Sequence, residues 1–396
     1  MPFRWIGKAR GNTVPVSLAS ASVRVALVHD WLTGLRGGER VLHEHAALFP
    51  DADLYTLFHV PGTTTARIES LRIHASPLSR LPGMRRHYRK LLPLYPWAIE
   101  RFRLESYDLV LSSSHAVAKG IRAPQGATHL CCCFTPMRYI WDQADAYLGR
   151  GVRRAISTPL VRRLRAWDVR SSGPDRVGRF VAISETVAHR IRTHYRRTAQ
   201  LIHPPVDVGR FRVRPEAVED WYLLVGGFVP YKREEVALEA FRHLGARLLV
   251  AGDGPMRALL EARAPANVRF LGRVSDAELE DLYARCRALI YPQEEDFGIV
   301  CVEAQAAGRP VIAFGRGGAT ETVVPLGQSQ DRAPTGLWFH PQTPEALAEA
   351  VRRFEGAASE LDPKAIRANA ERFAVPRYHR ELRAAVAEAM ARGPIP

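Results

Sequence analysis

Short apolar runs, each closed by polar or glycine residues and followed by an amphipathic stretch, recur along this chain and leave few folds open to it. VRVALVHD (23–30), YDLVLSSS (107–114), THLCCC (128–133) and RFVAIS (179–184) are continuous apolar runs of the kind that form strands buried on both faces. After a proline-rich connector, HPPVDVGRF (203–211), the rhythm restarts with WYLLVGG (221–227), ARLLVAGDG (246–254), VRFLG (268–272), ALIYP (288–292) and PVIAFG (310–315). Helix-period segments such as REEVALEAFRHL (233–244) and DAELEDLYARC (276–286) separate them. Strand alternating with helix, twice over, predicts an α/β protein with two doubly wound, Rossmann-like sheets. A length of 396 residues suits two such domains. The pattern divides the chain into an extension at 1–22, expected to be disordered, a first domain at 23–210, a second at 211–375, and a terminal helix at 376–396 that crosses back to the first.

Open parallel sheets bind ligands beyond the carboxyl ends of their strands, and two such domains put the expected site in a cleft between them. Chemistry-bearing residues gather at those strand ends. Gly37 and Gly38 follow the first strand, where a glycine turn opening a helix presents bare amides to a phosphate, although many such turns are only structural. His115 stands directly after LVLSSS, as an active-site residue or as a surface-loop histidine. Lys232 and Arg233 follow the first strand of the second half; two cations beside a glycine turn suit a diphosphate, or they are solvated charges. AGDGP (251–255) and FGRGGATE (314–321) are further glycine turns. EEDFGIVCVE (294–303) sets Glu295 and Glu303 at the two ends of an apolar stretch; on residues alone it reads equally as a helix with an acidic N-terminal flank. No acidic motif with metal-binding spacing is present, and DAD (51–53), after Phe49-Pro50, reads as a surface turn.

Charge is divided unevenly. Residues 1–210 hold 32 Lys and Arg against 15 Asp and Glu, whereas residues 211–396 hold 24 against 26, which together give the net +15. A cationic first half points to a large anionic partner. RLPGMRRHYRKLLPLYPWAIERFR (80–103) and GRGVRRAISTPLVRRLRAWDVR (149–170) mix arginines with Leu, Tyr, Trp and Phe, a composition that suits an anionic membrane surface. No run is long and apolar enough to span a membrane, and residues 1–22 lack a secretory apolar core. Five cysteines, three of them adjacent in a strand-like run, fit neither a disulfide framework nor a metal site and point to a reduced, cytoplasmic setting.

The order and spacing of these pieces resemble the retaining family 4 glycosyltransferases of GT-B fold. GGFVPYKREEVALEAF, LLVAGDGP and the run from VRFLG to GGATETV resemble their nucleotide-sugar domain. VALVHDWLTGLRGGERVL, DLVLSSSHAVAKG, TPMRYIWD and VAISETVAHRI are similar to the mannosyltransferase-like subgroup that builds O-antigens and exopolysaccharides, and the likeness runs over roughly residues 23–375. It implies transfer of a hexose with retention, from a nucleotide sugar for which GDP-mannose is the expectation, onto a glycan or polyprenyl-diphosphate-linked acceptor. No cofactor and no metal are implied. By the same resemblance Glu295 binds hydroxyls of the transferred sugar and Glu303 those of the ribose. Phe297, Gly298 and Ile299 line the donor loop, with the Gly298-Ile299 amides facing the diphosphate, and Gly308 ends the helix. The Val274 backbone lies against the base, and His115 contacts the sugar near the reaction centre. Lys232, Arg233 and the Gly37-Gly38 amides stabilise the departing diphosphate.

Two positions depart from the family pattern. Gly227 stands where relatives commonly carry an arginine that reaches the diphosphate, and Phe134 stands where the nearest subgroup often has histidine. A sugar-nucleotide epimerase of the same fold, or a basic nucleic-acid- or membrane-binding protein without transferase activity, are the competing readings. No helix-turn-helix, zinc or RNA-recognition motif supports a nucleic-acid partner. The expected location is the cytoplasm, attached peripherally to the inner face of the membrane.

Overall fold

The computed structural model describes residues 23–84, 88–141, 152–328 and 331–393, so the expected extension at 1–22 and parts of both basic segments lie outside the described residues. Two compact units emerge, one from the chain up to His203 together with Tyr378 onward, the other from Pro204 to Arg377.

The first unit is built on a seven-stranded, all-parallel sheet. Its strands are β1 (Val25–His29), β2 (Asp53–Thr56), β3 (Arg72–Ala75), β4 (Leu109–Ser114), β5 (Thr128–Cys133), β6 (Arg179–Ala182) and β7 (Ala199–Leu201), arranged in the order β3-β2-β1-β4-β5-β6-β7. Alternate residues of β1 feed opposite faces. Val25 and Leu27 pack with Leu109, Leu111 and Cys132, while Ala26 and Val28 join Val110, Tyr95 and Trp167. That two-sided burial is why these strands read as unbroken apolar runs. Cys131 and Cys133 face a third cluster with Phe180 and Ile191, and all five cysteines of the chain are buried and unpaired. Most of the C-terminal helix Val375–Ala391 belongs here, with Tyr378, Leu382 and Val386 in the core beside Leu27 and Leu130.

The second unit repeats the plan with six parallel strands: β8 (Tyr222–Gly227), β9 (Leu248–Asp253), β10 (Val268–Gly272), β11 (Leu289–Tyr291), β12 (Val311–Phe314) and β13 (Gly336–Phe339), in the order β10-β9-β8-β11-β12-β13. Phe241, Phe354, Ile290 and Ile312 centre its core.

Two corrections to the sequence reading concern boundaries and burial. The division falls at His203/Pro204, ahead of the expected 210/211. The connector is tied into the second unit, because Val206 N–H donates to Phe373 O (2.9 Å) and Phe211 packs edge-on against Tyr283. DAD is a surface turn only at Asp51, which is exposed; Asp53 opens β2, is buried, and holds Arg72 and the Tyr107 hydroxyl.

Candidate functional site

Each sheet reverses its winding once, and in an open α/β sheet the crevice at that reversal, beyond the strands' carboxyl ends, is where ligands bind. In the second unit the reversal lies between β8 and β11. The loops leaving those two strands carry Lys232 and Glu295.

Lys232 closes a single 3₁₀ turn, Pro230–Lys232, and its Nζ lies 3.0 Å from Glu295 Oε1. The Tyr291 hydroxyl, at the end of β11, donates to Glu295 Oε2 at 2.8 Å. Burial works against the Lys232 ammonium, yet Glu295, Tyr231 and Glu234 outweigh it, and its pKa lies above the ordinary lysine value. The pKa of neighbouring Glu234 is also pushed up, to about 7, mainly by burial. The FGRGG turn holds the Glu295 backbone in place: Gly318 N–H donates to Glu295 O at 2.8 Å, and Gly317 adopts a left-handed φ of +64°.

Gly298 caps the helix Ile299–Ala306 at φ +86°, and a Cβ there would stand 2.8 Å from the Tyr291 hydroxyl that holds Glu295. Glycine is therefore required twice, for its conformation and for space. At the far end Gly308 has φ +74°, Gly308 N–H reaches Gln305 O (2.9 Å) and Arg309 N–H reaches Ala304 O (2.9 Å), a Schellman stop that accounts for AAGRP. Glu303, buried in this short helix, accepts from the Tyr283 hydroxyl at 3.0 Å.

Other expected donor residues fare differently. The Arg233 guanidinium turns to Glu235 at 2.6 Å, both half-exposed, so of the two cations Lys232 is the one joined to Glu295. The Phe297 side chain is buried against Phe373, which leaves its backbone as what it can offer a ligand. Ile299 is the first residue of the helix, and Val274 is half-buried in the turn between β10 and the Ser275-capped helix Asp276–Arg285. Gly227, exposed at the end of β8, leaves open space: a Cβ there meets only the Asp253 carbonyl at 3.7 Å, ordinary contact.

In the first unit the winding reverses between β1 and β4, and the loops leaving them bring the other expected residues together. Gly37 is the first residue of the helix Gly37–Leu48. A Cβ on Gly38 would come within 3.2 Å of Phe134 and 3.4 Å of His29, so Phe134 forms one wall of this corner. The His115 ring packs edge-on against Trp31 at 4.5 Å between centroids. Asp30, fully buried, accepts the backbone N–H groups of His115, Ala116, Val117 and Ala118 at 2.7–3.0 Å and lies 3.1 Å from His115 Nδ1. His29 beside it is also buried, and neither ring nitrogen has a hydrogen-bond partner; burial drives its pKa down to about 3. Glu39, whose carboxylate accepts the Arg36 N–H at 3.0 Å, is pushed up to about 7 by burial.

Sequence reasoning missed Asp30, His29 and Tyr291. A signal for the first two was present: an apolar strand that ends His-Asp places two polar groups inside the fold, where they must find partners. Among the described residues no group of three or more His, Cys, Asp or Glu is placed to hold a metal ion, and no helix is long and apolar enough to cross a membrane.

Residues 210–393 match the glycosyl transferases group 1 family. Similar proteins include a D-rhamnosyltransferase of Pseudomonas aeruginosa (34% identical over 32% of this chain and 38% of that protein) and the O-antigen chain mannosyltransferase C of Escherichia coli (29% over 34% and 36%). The chain thus spans little more than a third of the length of the curated relatives it matches. Among solved structures, the sucrose-phosphate synthase of Thermosynechococcus elongatus aligns with a TM-score of 0.73 over 94% of this chain and all of its own, at 18% identity. Anabaena HepE, solved in complex with UDP, aligns at 0.66 over 92% and 100%, at 14% identity. The expected fold, two doubly wound α/β domains of the GT-B glycosyltransferase type, is borne out.

Proposed function

We propose that this protein is a retaining family 4 glycosyltransferase that moves a hexose from a nucleotide sugar to a glycan or polyprenyl-diphosphate-linked acceptor, with GDP-mannose as the donor. The observation that carries the reading is the Lys232–Glu295–Tyr291 cluster at the reversal of the second sheet, beside a helix whose first amides are uncovered by Gly298. A cation, a carboxylate and bare amides at one strand end match the three parts of a sugar nucleotide's reacting end: diphosphate, sugar hydroxyls and developing phosphate charge. Support also comes from the group 1 match, from the rhamnosyl- and mannosyltransferase relatives, and from the nucleotide held by HepE.

In the proposed reaction the bond from the anomeric carbon to the phosphate oxygen breaks and its electron pair stays on that oxygen. The acceptor hydroxyl oxygen bonds the anomeric carbon on the same face, and its proton passes to the departing diphosphate. Lys232 and the Gly298-Ile299 amides meet the charge that develops there. Glu295 exchanges Lys232 for sugar hydroxyls when the donor binds, and Glu303 takes the ribose. In the first unit Gly37 and Gly38 offer amides to a phosphate and His115 an imidazole to a sugar, and in the second the Val274 backbone serves the base.

For location, we propose peripheral attachment to the anionic cytoplasmic face of the membrane. Trp97, Leu94 and Leu81 are exposed apolar residues of the basic 80–103 segment, and the Arg101 guanidinium lies 5.0 Å from the Trp97 ring centroid. This mixture suits a lipid headgroup layer.

Calorimetry with GDP-mannose, UDP-glucose, UDP-GlcNAc and GDP-fucose tests the donor assignment, on the wild type and on Glu303→Ala. GDP-mannose binding that weakens on substitution supports the reading. Silence across the panel from folded protein refutes it, and donor conversion without any acceptor would instead identify an epimerase.

A further inference from the structure

Where β4 ends, four consecutive backbone N–H groups, from His115 to Ala118, leave the strand ladder and point inward. Buried amides need partners, and here one carboxylate takes all four. Asp30 Oδ2 accepts from His115 and Ala116, and Oδ1 accepts from Val117 and Ala118. The same Oδ2 stands 3.1 Å from the Nδ1 atom of the His115 ring. On its far side the turn is held again. Lys119, the next residue, puts its ammonium 2.5 Å from Asp168 Oδ1, with both groups buried, and Asp168 also accepts the Trp141 indole N–H and the Tyr195 hydroxyl at 2.8 Å. The backbone under His115 is thereby fixed from two directions, and the ring's Nδ1 lies within ion-pair distance of the same carboxylate.

We infer that Asp30 is the positioning residue for His115: its carboxylate accepts the Nδ1–H, selects that tautomer, and so commits Nε2 to whatever the ring does toward substrate. The carboxylate is fully buried and touches no substrate; it acts through the histidine. Full satisfaction of both carboxylate oxygens leaves Asp30 no freedom to retreat when a ligand arrives, so the ring is oriented before binding. The inference rests on the sugar-contacting role proposed above for His115.

The test reads the tautomer directly. Protein labelled with ¹⁵N in its histidine rings is examined by NMR at pH 8, with His115→Gln supplying the assignment. Wild type is expected to show His115 protonated at Nδ1 and unprotonated at Nε2. The reverse tautomer, an even mixture, or a ring protonated on both nitrogens overturns the proposal, since a carboxylate that only ties the turn would not fix the ring proton. This arm uses the free protein and stands whether or not transfer is ever observed. In Asp30→Asn the tautomer is expected to shift toward Nε2–H, and if that variant fails to fold the wild-type spectrum alone decides. With a transfer assay in hand, kcat of a folded Asp30→Asn should fall about 10²-fold with donor KM within a few-fold, the scale of a misoriented catalytic group. An unchanged kcat also overturns it. The expected tautomer in a protein that transfers no sugar would sink the transferase reading and leave the positioning role intact.

Discussion

Replacing Lys232 by methionine keeps the stem and removes the ammonium, and the structure says what that should do to stability and to ligand binding. In the free protein the ammonium pairs with Glu295 at 3.0 Å, but both side chains keep some solvent access, 16% and 21%. Glu295 also retains the Tyr291 hydroxyl and can hydrate, so the stability loss should be about 1 kcal/mol, a single net hydrogen bond. For a ligand the account differs. A charge-assisted hydrogen bond to a diphosphate oxygen contributes about 1.5–3 kcal/mol, which corresponds to roughly 10- to 150-fold in affinity. In the wild type the lysine must first give up Glu295, and that exchange places the expected loss at the lower end, near tenfold. The assay is calorimetric titration of the matched nucleoside diphosphate and of the bare nucleoside into both proteins. Diphosphate affinity should drop about tenfold while nucleoside affinity stays level. Equal loss for both ligands would mean that Lys232 supports the fold of the pocket and not the phosphates, and no loss for either would refute the assignment.

Three further perturbations probe other links in the chain of inference. Gly298→Ala forces a left-handed φ on a Cβ that meets the Tyr291 hydroxyl, so a cost of about 1–2 kcal/mol in thermal unfolding and weakened donor binding are expected together; a variant as stable and as tight-binding as wild type would contradict the geometry. Lys119→Met leaves Asp168 buried without its cation and should destabilise the first unit by about 3–5 kcal/mol, read by urea unfolding. Acid should act on the two units in opposite senses. His29, His45 and His129 have pKa values lowered to about 3, 3 and 4, so below pH 6.5 the unfolded first unit binds more protons than the folded one and stability falls as pH falls. Glu39, raised to about 7, opposes this between pH 7 and 4.5; three histidines against one glutamate leave a net loss of at most about 2.7 kcal/mol per pH unit between 6.5 and 4.5. In the second unit Glu234, raised to about 7, instead gains stability as pH falls through the same window. Hydrogen exchange at pH 7.5 and 5.5 should show the first unit losing protection and the second holding it; parallel loss in both would overturn the account.

How much of this was readable beforehand follows from how each feature is encoded. Central strands were legible because two-sided burial demands apolar residues in succession, as in the VALV of β1 and the LVL of β4. Strands without such a run were not: β3 carries Arg72 and His74 on a partly exposed rim, and β7 has Gln200 at the centre of its three residues. Burial of Asp53 was hidden for a related reason, since its partners Arg72 and Tyr107 are distant in sequence and only the sheet brings them near. Gly298 and Gly308 could be placed because left-handed conformations select glycine locally. The Lys232–Glu295 pair could be named residue by residue but not joined, because the join depends on β8 and β11 being neighbours across the reversal of the sheet.

Asp30 shows where such reading stops and what closes the gap. Nothing local marks an aspartate after a strand as the acceptor for four amides lying 85 to 88 positions away. Topology alone pairs β1 with β4, and parallel register then sets His29 opposite Ser113, which puts the next residue of β1 beside the turn that leaves β4. From that point physical chemistry is sufficient. Four inward amides need acceptors, a buried carboxylate needs donors, and the ring nitrogen within 3.1 Å completes the set. The reversal of winding thus does more than open a crevice: it brings the ends of two strands so close that one can orient the side chain of the other. The same arrangement recurs in the second unit, where Tyr291 and Lys232, from the two strands flanking the reversal, hold Glu295 between them. In both units the residue proposed to meet the sugar is held by a partner at the reversal, His115 by Asp30 and Glu295 by Lys232 and Tyr291. The two settings differ in one respect that matters for catalysis: Asp30 is sealed and permanent, whereas Lys232 keeps enough exposure to exchange its carboxylate for a phosphate.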